Sequence, residues 1–297
     1  MTRESPLVSI ILPTFNRADV ISRAIESVIN QTYSNYELII VDDGSSDNTS
    51  AIVSKYTSGV RYIKQNNSGV SSARNAGIRS SSGKYIAFID SDDAWHAEKL
   101  ELQIKFFQDH SQSNIAIVCT DANFIDMNGN EFVRIRKLQR KSNCVLDFMT
   151  LLKDPYLGLP TVMLDAGCVS RGNVFDESLK TAEDIDLYLR LGSKYSIGYI
   201  HKKLVNVHTS RDSLSSSTQS YEDNILVLER CYATCQKAEY IKQYNATIHS
   251  VYLDYAKYLL WRGNIAQCRK TLVNAIKYRF TLFAAYYFIK SFLKTSK

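Results

Sequence analysis

The sequence predicts an α/β fold: a mixed, mainly parallel sheet flanked by helices, with a helical appendage at the C-terminal end. Three observations carry this expectation. Short β-branched runs alternate with helical stripes over the first hundred residues. Those runs are apolar almost throughout, as strands covered on both faces must be. From Tyr221 onward the pattern is helical only. A chain of 297 residues suits one large domain or a domain with an appendage. With 45% hydrophobic and 22% charged residues it is ordinary globular material, which excludes disordered and low-complexity classes.

Residues 7–12 (LVSIIL), 37–41 (ELIIV), 60–63 (VRYI) and 85–89 (YIAFI) are brief, β-branched or aromatic, and bounded by turn residues, so each is expected as a strand. Between them, residues 18–30, 47–56 and 68–81 carry helical spacing, with Val20, Ala24, Ile25 and Val28 on one stripe. A helix over 96–110 leads to a strand at 115–120 and then to Asn128-Gly129, a hairpin signal between Phe124 and Ile135. Residues 159–164 are expected as a strand, 181–191 as a helix and 196–207 as a last strand region, a mixed extension of the same sheet. The serine-rich stretch 213–220 is the expected linker between a unit over residues 1–212 and a helical region over 221–297. There, residues 252–278 pattern as two helices joined at Arg262-Gly263-Asn264, with Ala256, Leu259 and Leu260 facing Ala266, Leu272, Val273 and Ala275.

Lys and Arg exceed Asp and Glu by six, too small an excess over this length to argue for a nucleic-acid partner. The excess is local. Nine Lys or Arg and no acid lie between Tyr255 and Lys297, which leaves 27 basic against 30 acidic groups elsewhere. Six cysteines without a CxxC pair make neither a disulfide framework nor a zinc site, so a reducing, cytoplasmic compartment is expected. Cys231 and Cys235, one helical turn apart, are expected to pack in a core. The N-terminal stretch MTRESPLVSIILPTFN has too short an apolar run for a signal peptide or a spanning helix. No later run approaches the roughly 20 residues that a bilayer requires.

In a parallel sheet, ligands bind beyond the carboxyl ends of the strands, which directs attention to residues 13–17, 42–47 and 90–93. No G-x-G-x-x-G follows the first strand, where Pro13-Thr14-Phe15-Asn16 stands. Residues 77–84 miss the P-loop, with five residues between the glycines and Tyr85 in place of Ser or Thr. No H-E-x-x-H and no G-x-S-x-G elbow occurs. What remains is acid: Asp42 and Asp43 close one strand, and Asp90, Asp92 and Asp93 follow another. Any one of them could simply cap a turn or a helix start. Two clusters at neighbouring strand ends repel, and a divalent cation is the usual reason to tolerate them. Asp90-Ser91-Asp92 offers oxygen ligands for Mg²⁺ or Mn²⁺ with room for phosphate oxygens and water.

Three blocks stand in order: LVSIILPTFNRADVISRAIESVINQTYSNYELIIVDDGSSDNT, NNSGVSSARNAGIRSSSGKYIAFIDSDDAW and TAEDIDLYLRL. Together they resemble the family 2 glycosyltransferases with the GT-A fold over residues 8–208. The resemblance implies that Pro13 and Phe15 lie beside the base and ribose of a nucleotide-sugar donor. It implies that Asp43 accepts from a pyrimidine N3–H and that Gly69 and Arg74 border the nucleotide. By the same resemblance Asp90, Ser91 and Asp92 serve the donor diphosphate and its Mn²⁺ or Mg²⁺, with Asp92 the direct ligand, and Asp184 is the catalytic base of an inverting transfer. His208, in VNVHTSRDSLS, resembles a family histidine near the diphosphate or metal, although a lone His at a strand end also serves as a plain hydrogen-bonding residue. The block before the ED pair reads GNVFDESL where the family has a Gly-Gly-Phe-Asp type of sequence. No Gln-x-x-Arg-Trp follows, which sets a processive synthase aside.

The function implied is transfer of a sugar from a UDP-sugar to a hydroxyl of a glycan or lipid-linked saccharide in surface polysaccharide synthesis. A non-catalytic nucleotide-sugar-binding or scaffold protein on the same fold is the rival, disfavoured by the joint presence of Asp43, Asp90, Asp92 and Asp184. The tail from Arg279 to Lys297 carries aromatic residues on several sides beside Lys290, Lys294 and Lys297. It has two readings: a helix packed on the rest of the chain with a solvated basic edge, or a peripheral contact with the inner leaflet.

Overall fold

A computed structural model of the chain describes residues 5–132, 142–209, 217–234 and 237–293. The first apolar runs form strands β1 (Val8–Thr14), β2 (Tyr36–Asp42), β3 (Val60–Lys64) and β4 (Tyr85–Phe88), all parallel, in the order β3-β2-β1-β4. Every residue of β1 is buried, which explains its lack of polar alternation. Its neighbours divide by the two-residue period of a strand: Ile11, Ile39 and Val41 enter the core on one face, while Ile10, Leu12, Leu38 and Ile40 enter the core on the other.

Beyond β4 the sheet becomes mixed. β9 (Met163–Asp165) is antiparallel both to β4 and to β6 (Ile115–Ile125), so β6 runs in the direction of β4. β10 (Ser196–His208) lies parallel to β6 and antiparallel to the two-residue strand β5 (Ala94–Trp95). β7 (Glu131–Phe132) and β8 (Cys144–Leu146) are appended to β6 and β10. The carboxyl ends of β1, β2, β4 and β10 therefore open on one edge, which gathers residues far apart in sequence.

Helices α1 (Ile21–Ile29), α2 (Thr49–Val53) and α4 (Lys99–Asp109) cover one face, and α3 (Val70–Arg79), α5 (Phe148–Lys153) and α6 (Glu183–Gly192) the other. Gly77 lets α3 sink onto the sheet, since a Cβ there would stand 2.5 Å from Ile11 Cγ2. The C-terminal helices α7 (Thr218–Thr234), α8 (Ala238–Trp261) and α9 (Ile265–Tyr278) extend the second core, with Tyr244, Ile248 and Leu272 in the same cluster as Phe148 and Leu151. Thr247 Oγ1 donates to the Leu152 carbonyl at 2.7 Å across that junction. The last helix, α10 (Leu282–Leu293), packs on α9 and leaves Leu282, Phe283, Tyr286, Ile289 and Phe292 exposed. No helix among the described residues is long and apolar enough to cross a membrane.

Several expected boundaries shift. Residues 159–161 form a 3₁₀ turn rather than the start of a strand, because Pro160 supplies no N–H to a ladder. The helix expected over 47–56 contracts to α2, whose first N–H, that of Thr49, is taken by Asp47 Oδ1 at 3.0 Å. The Asn128-Gly129 turn joins β6 to β7, with Gly129 at φ 83°, while residues 133–135 of the expected hairpin lie outside the described residues. Of the expected linker, residues 213–216 lie outside the described residues and Thr218–Ser220 belong to α7. In the helical hairpin Ala266 and Val273 face outward, and Cys268 is buried in their stead. Cys231 packs against the core and meets the Tyr244 hydroxyl, while Cys235 lies outside the described residues.

Candidate active site

The loop after β1 is stitched to the loop after β2. Asn16 takes a left-handed conformation, φ 52°, which asparagine tolerates. Its Oδ1 accepts from the Ser46 N–H and its own N–H donates to Ser45 Oγ, both at 2.9 Å. The N–H groups of Arg17 and Ala18 donate to Thr49 Oγ1 and Asp47 Oδ2, each at 3.0 Å. Pro13 is buried and Phe15 is 44% exposed. Of the two residues expected beside a base, Phe15 is the exposed one.

Asp42 and Asp43 are both buried. Asp42 accepts from the Ser45 N–H at 2.7 Å and from the Tyr62 hydroxyl. Asp43 Oδ1 accepts from Gln65 Nε2 and the Ser68 N–H, and its Oδ2 from the Gly69 N–H, all at 2.8 Å. An ionised carboxylate offers about four lone-pair sites, so holding this loop takes three and leaves one on Oδ2. Gly69, at φ 91°, turns the chain into α3. A cleft of about 610 Å³, lined by Gly44, Ser45, Lys64, Gln65, Asn66 and Asn67, opens beside this loop. It is of the size that holds a small ligand.

Arg74, on the core-facing side of α3, does not reach the surface. Its Nη2 donates to Asp90 Oδ1 at 2.9 Å and its Nη1 to Glu183 Oε1 at 2.5 Å, with the Phe175 ring 5.5 Å from the guanidinium carbon. One buried cation thus ties the segment after β4 to the start of α6. Asp184 follows Glu183 and is half-buried, with Oδ1 accepting from the Ile185 N–H at 2.8 Å. Burial first, and then the charge of Glu183, push its carboxyl up to about 7. The residue before the pair, Ala182, is left-handed at φ 61°. Asn75 anchors the segment that precedes it: its Oδ1 accepts from the N–H groups of Val174 and Phe175 at 3.0 and 2.9 Å, and its Nδ2 donates to the Phe175 carbonyl at 2.9 Å.

Asp90, Asp92 and Asp93 crowd together. Burial, then Asp90, raise the Asp92 carboxyl, and burial with both neighbours raises that of Asp93 well above its ordinary range. Asp93 Oδ1 accepts from the His208 N–H at 3.0 Å, so β10 brings His208 to this cluster. Arg23 on α1 donates to the Asp92 carbonyl and acts on Asp92, Asp93 and His208. Ser91 is buried between the two aspartates of the unit. Behind them Trp95 Nε1 donates to the Pro160 carbonyl at 2.9 Å, and buried Lys99 places Nζ 3.9 Å from the Trp95 ring.

Among the described residues no three His, Cys, Asp or Glu side chains gather closely enough to enclose a cation alone. Mg²⁺-type sites use one or two carboxylates, and substrate phosphates and water complete the shell. The residues present fit that pattern. Arg74 pairs with Asp90 and Arg17 and Arg23 act on Asp92, yet the Asp92 and Asp93 carboxyls stay raised, and His208 Nδ1 is buried without a hydrogen-bond partner, its basicity lowered by burial and by Arg23.

The sequence reading missed Arg23, Asn75, Glu183 and Trp95. Asn75 and Glu183 adjoin residues it named, so the adjacent pairs Arg74-Asn75 and Glu183-Asp184 were the available signal. Arg23 lies opposite the apolar stripe of α1, and nothing in that spacing says which strand end it meets.

A family model described as glycosyl transferase family 2 matches residues 9–157. An uncharacterized glycosyltransferase of Rickettsia bellii is 36% identical over 69% of this chain, and the chain spans only 29% of that relative's length. The Escherichia coli UDP-Glc:alpha-D-GlcNAc-diphosphoundecaprenol beta-1,3-glucosyltransferase WfgD is 34% identical over 71% of this chain and 80% of its own. The structure of S. aureus TarS 1–349 in complex with UDP superposes with a TM-score of 0.70 at 19% identity, over 96% of this chain and 88% of that one. The fold is the GT-A fold, and the chain belongs to glycosyl transferase family 2.

Proposed function

We propose that this chain transfers a sugar, with inversion, from a UDP-sugar to a hydroxyl of a glycan or lipid-linked saccharide in surface polysaccharide synthesis. The observation that carries the reading is Asp184. Its carboxyl is held near neutrality at a helix start, and Arg74 joins the adjacent Glu183 to Asp90. A base must take a proton from a weakly acidic hydroxyl near pH 7, and a carboxyl raised to that range is matched to the task. The nucleotide of the donor lies against Phe15, with the free lone pair of Asp43 toward the base and Gly69 beside that carboxylate. UDP is favoured by the relative that names UDP-Glc and by the fold neighbour bound to UDP.

Asp92, with His208, would hold Mn²⁺ or Mg²⁺, which offsets charge on the departing diphosphate. Asp90, engaged by Arg74, sets the position of Asp92. Residues 1–212 form the catalytic unit in this reading, and 221–297 its helical extension. The exposed face of α10, flanked by Arg279 and Lys290, holds the enzyme at an anionic inner leaflet, where each basic residue contributes on the order of 1 kcal/mol.

UDP titration with and without Mn²⁺ tests the reading. Asp92→Ala should abolish metal-dependent UDP binding at an unchanged Tm. Full activity in EDTA would overturn the metal assignment. UDP-sugar hydrolysis, measured beside UDP binding, separates a transferase from a binding protein on the same fold.

A further inference from the structure

The C-terminal helices carry aromatic rings toward the segment that bears Asp184. Asp223, buried on α7, accepts from the N–H groups of Lys180 and Thr181 at 3.1 and 2.9 Å and from the Thr181 hydroxyl at 3.0 Å. The approach to Asp184 is thereby fixed to α7. Two residues earlier, Tyr221 stacks on Tyr255 at 5.2 Å and meets Tyr258 at 5.4 Å, and Tyr258 lies 6.2 Å from Trp261. Tyr156 packs against the core that α7 and α8 share, and burial, then the charges of Asp254, Asp154 and Asp184, push its hydroxyl up to about 12. Tyr156, Tyr221 and Tyr258 are half-buried, Asp254 is exposed, and Trp261 is 74% exposed.

Half-exposed rings beside carboxylates suit one ligand chemistry well. The apolar faces of sugar rings stack on aromatic side chains, and sugar hydroxyls donate to carboxylates. We propose that Tyr156, Tyr221, Tyr258 and Trp261, with Asp254, form a subsite for the saccharide of the acceptor, running outward from Asp184. The proposal rests on the transferase reading and adds where the acceptor lies. Lys257, one turn before Trp261, places Nζ 5.1 Å from the Phe283 ring of α10. The outer end of the track therefore meets the basic aromatic tail, as a saccharide anchored in a lipid surface requires.

The chain has two tryptophans, and Trp95 is 5% exposed, so emission quenched by iodide reports Trp261. The probes are soluble oligosaccharides of two to four hexose or N-acetylhexosamine units, added to the full chain with UDP and Mn²⁺. Protection of Trp261 from iodide is expected. In Tyr258→Ala the concentration for half-protection should rise about tenfold, with UDP affinity and donor hydrolysis unchanged. No protection by any oligosaccharide while UDP still binds would overturn the subsite. Protection by anionic vesicles alone would overturn it too, and would make Trp261 part of the membrane face. Absence of UDP binding would remove the transferase reading itself.

Discussion

β2 and β4 flank β1 and deliver aspartates to the same edge of the sheet, yet the two ends are in opposite electrostatic conditions. After β2, Asp42 and Asp43 meet backbone N–H groups, Tyr62 and Gln65, and every carboxylate oxygen accepts at least one hydrogen bond. After β4, Asp92 and Asp93 share the neighbourhood with Asp90, and burial first, then the neighbouring carboxylates, push their carboxyls up although Arg17 and Arg23 act against the shift. The first end is a frame whose carboxylates hold loops in place. In the second, burial and mutual repulsion disfavour the charged carboxylates despite the nearby arginines, the condition expected where a ligand is to supply the balance. Arg74 joins the second end to α6, and so couples the proposed site of the leaving group to that of the proposed base.

Removing that link should have the largest effect. Arg74→Met leaves Glu183 and Asp90, both half-buried, without their cation, and breaking a buried pair from one side costs up to about 3–5 kcal/mol. Urea unfolding measures it, and a loss below about 1 kcal/mol would show that the two segments are held by other contacts.

Next comes the proposed base. Asp184→Asn keeps the acceptor for the Ile185 N–H and removes the proton-accepting carboxylate, so transfer should fall about 10²–10⁴-fold with UDP affinity retained. In the unsubstituted protein, transfer should rise with pH through about 7. Stability moves the other way. The ordinary value is 3.8, so as pH rises from about 4 to 7 the unfolded chain releases a proton that the folded chain keeps, and stability falls through that window. Asp184→Asn should therefore raise Tm at pH 8 and leave it nearly unchanged at pH 4. A Tm difference that is independent of pH would show that the carboxyl is not raised.

These residues were not equally legible in the sequence. β1, β2 and β4 could be read because burial on both faces leaves no polar residue among their central positions. Asp90 and Asp92 could be named because the motif and the strand-end rule agree on them, whereas Asp184, at a helix start, was named through the resemblance alone. Arg74, expected to border the nucleotide, is buried and pairs with Asp90 and Glu183, partners that were not legible because a sequence position on α3 does not say which side of the helix faces the core. Residues 159–164 misled because Val162 to Leu164 are strand-like and Pro160 breaks the ladder before them. The position of α10 on α9 was not legible, because its apolar residues lie on several sides and tertiary packing alone selects the buried one.

A smaller effect sharpens the contrast from the side of the frame. In Asp43→Asn the retained oxygen can still accept from Gln65 and Ser68, but the amide then meets the Gly69 N–H donor to donor. An unmade hydrogen bond of this kind costs about 1–3 kcal/mol. Chemical denaturation should register the loss without any ligand present. A variant as stable as the parent would mean that the carboxylate is not what holds residues 65–69.

The smallest effect lies at Ala182, where the chain enters α6. A left-handed alanine at φ 61° costs about 1–2 kcal/mol relative to its favoured conformations, and glycine adopts this region without that penalty. Part of the gain is offset by the greater freedom of glycine in the unfolded chain, so Ala182→Gly should stabilise the fold by up to about 1 kcal/mol. The position immediately precedes Glu183 and Asp184, and strain held at such a place fixes the direction in which the following side chains point. Stability and turnover should therefore separate: unfolding shifts to higher denaturant while transfer slows, as Asp184 samples more orientations. If both rise together, the strained alanine does not aim the base, and the left-handed turn is only the way the chain enters the helix.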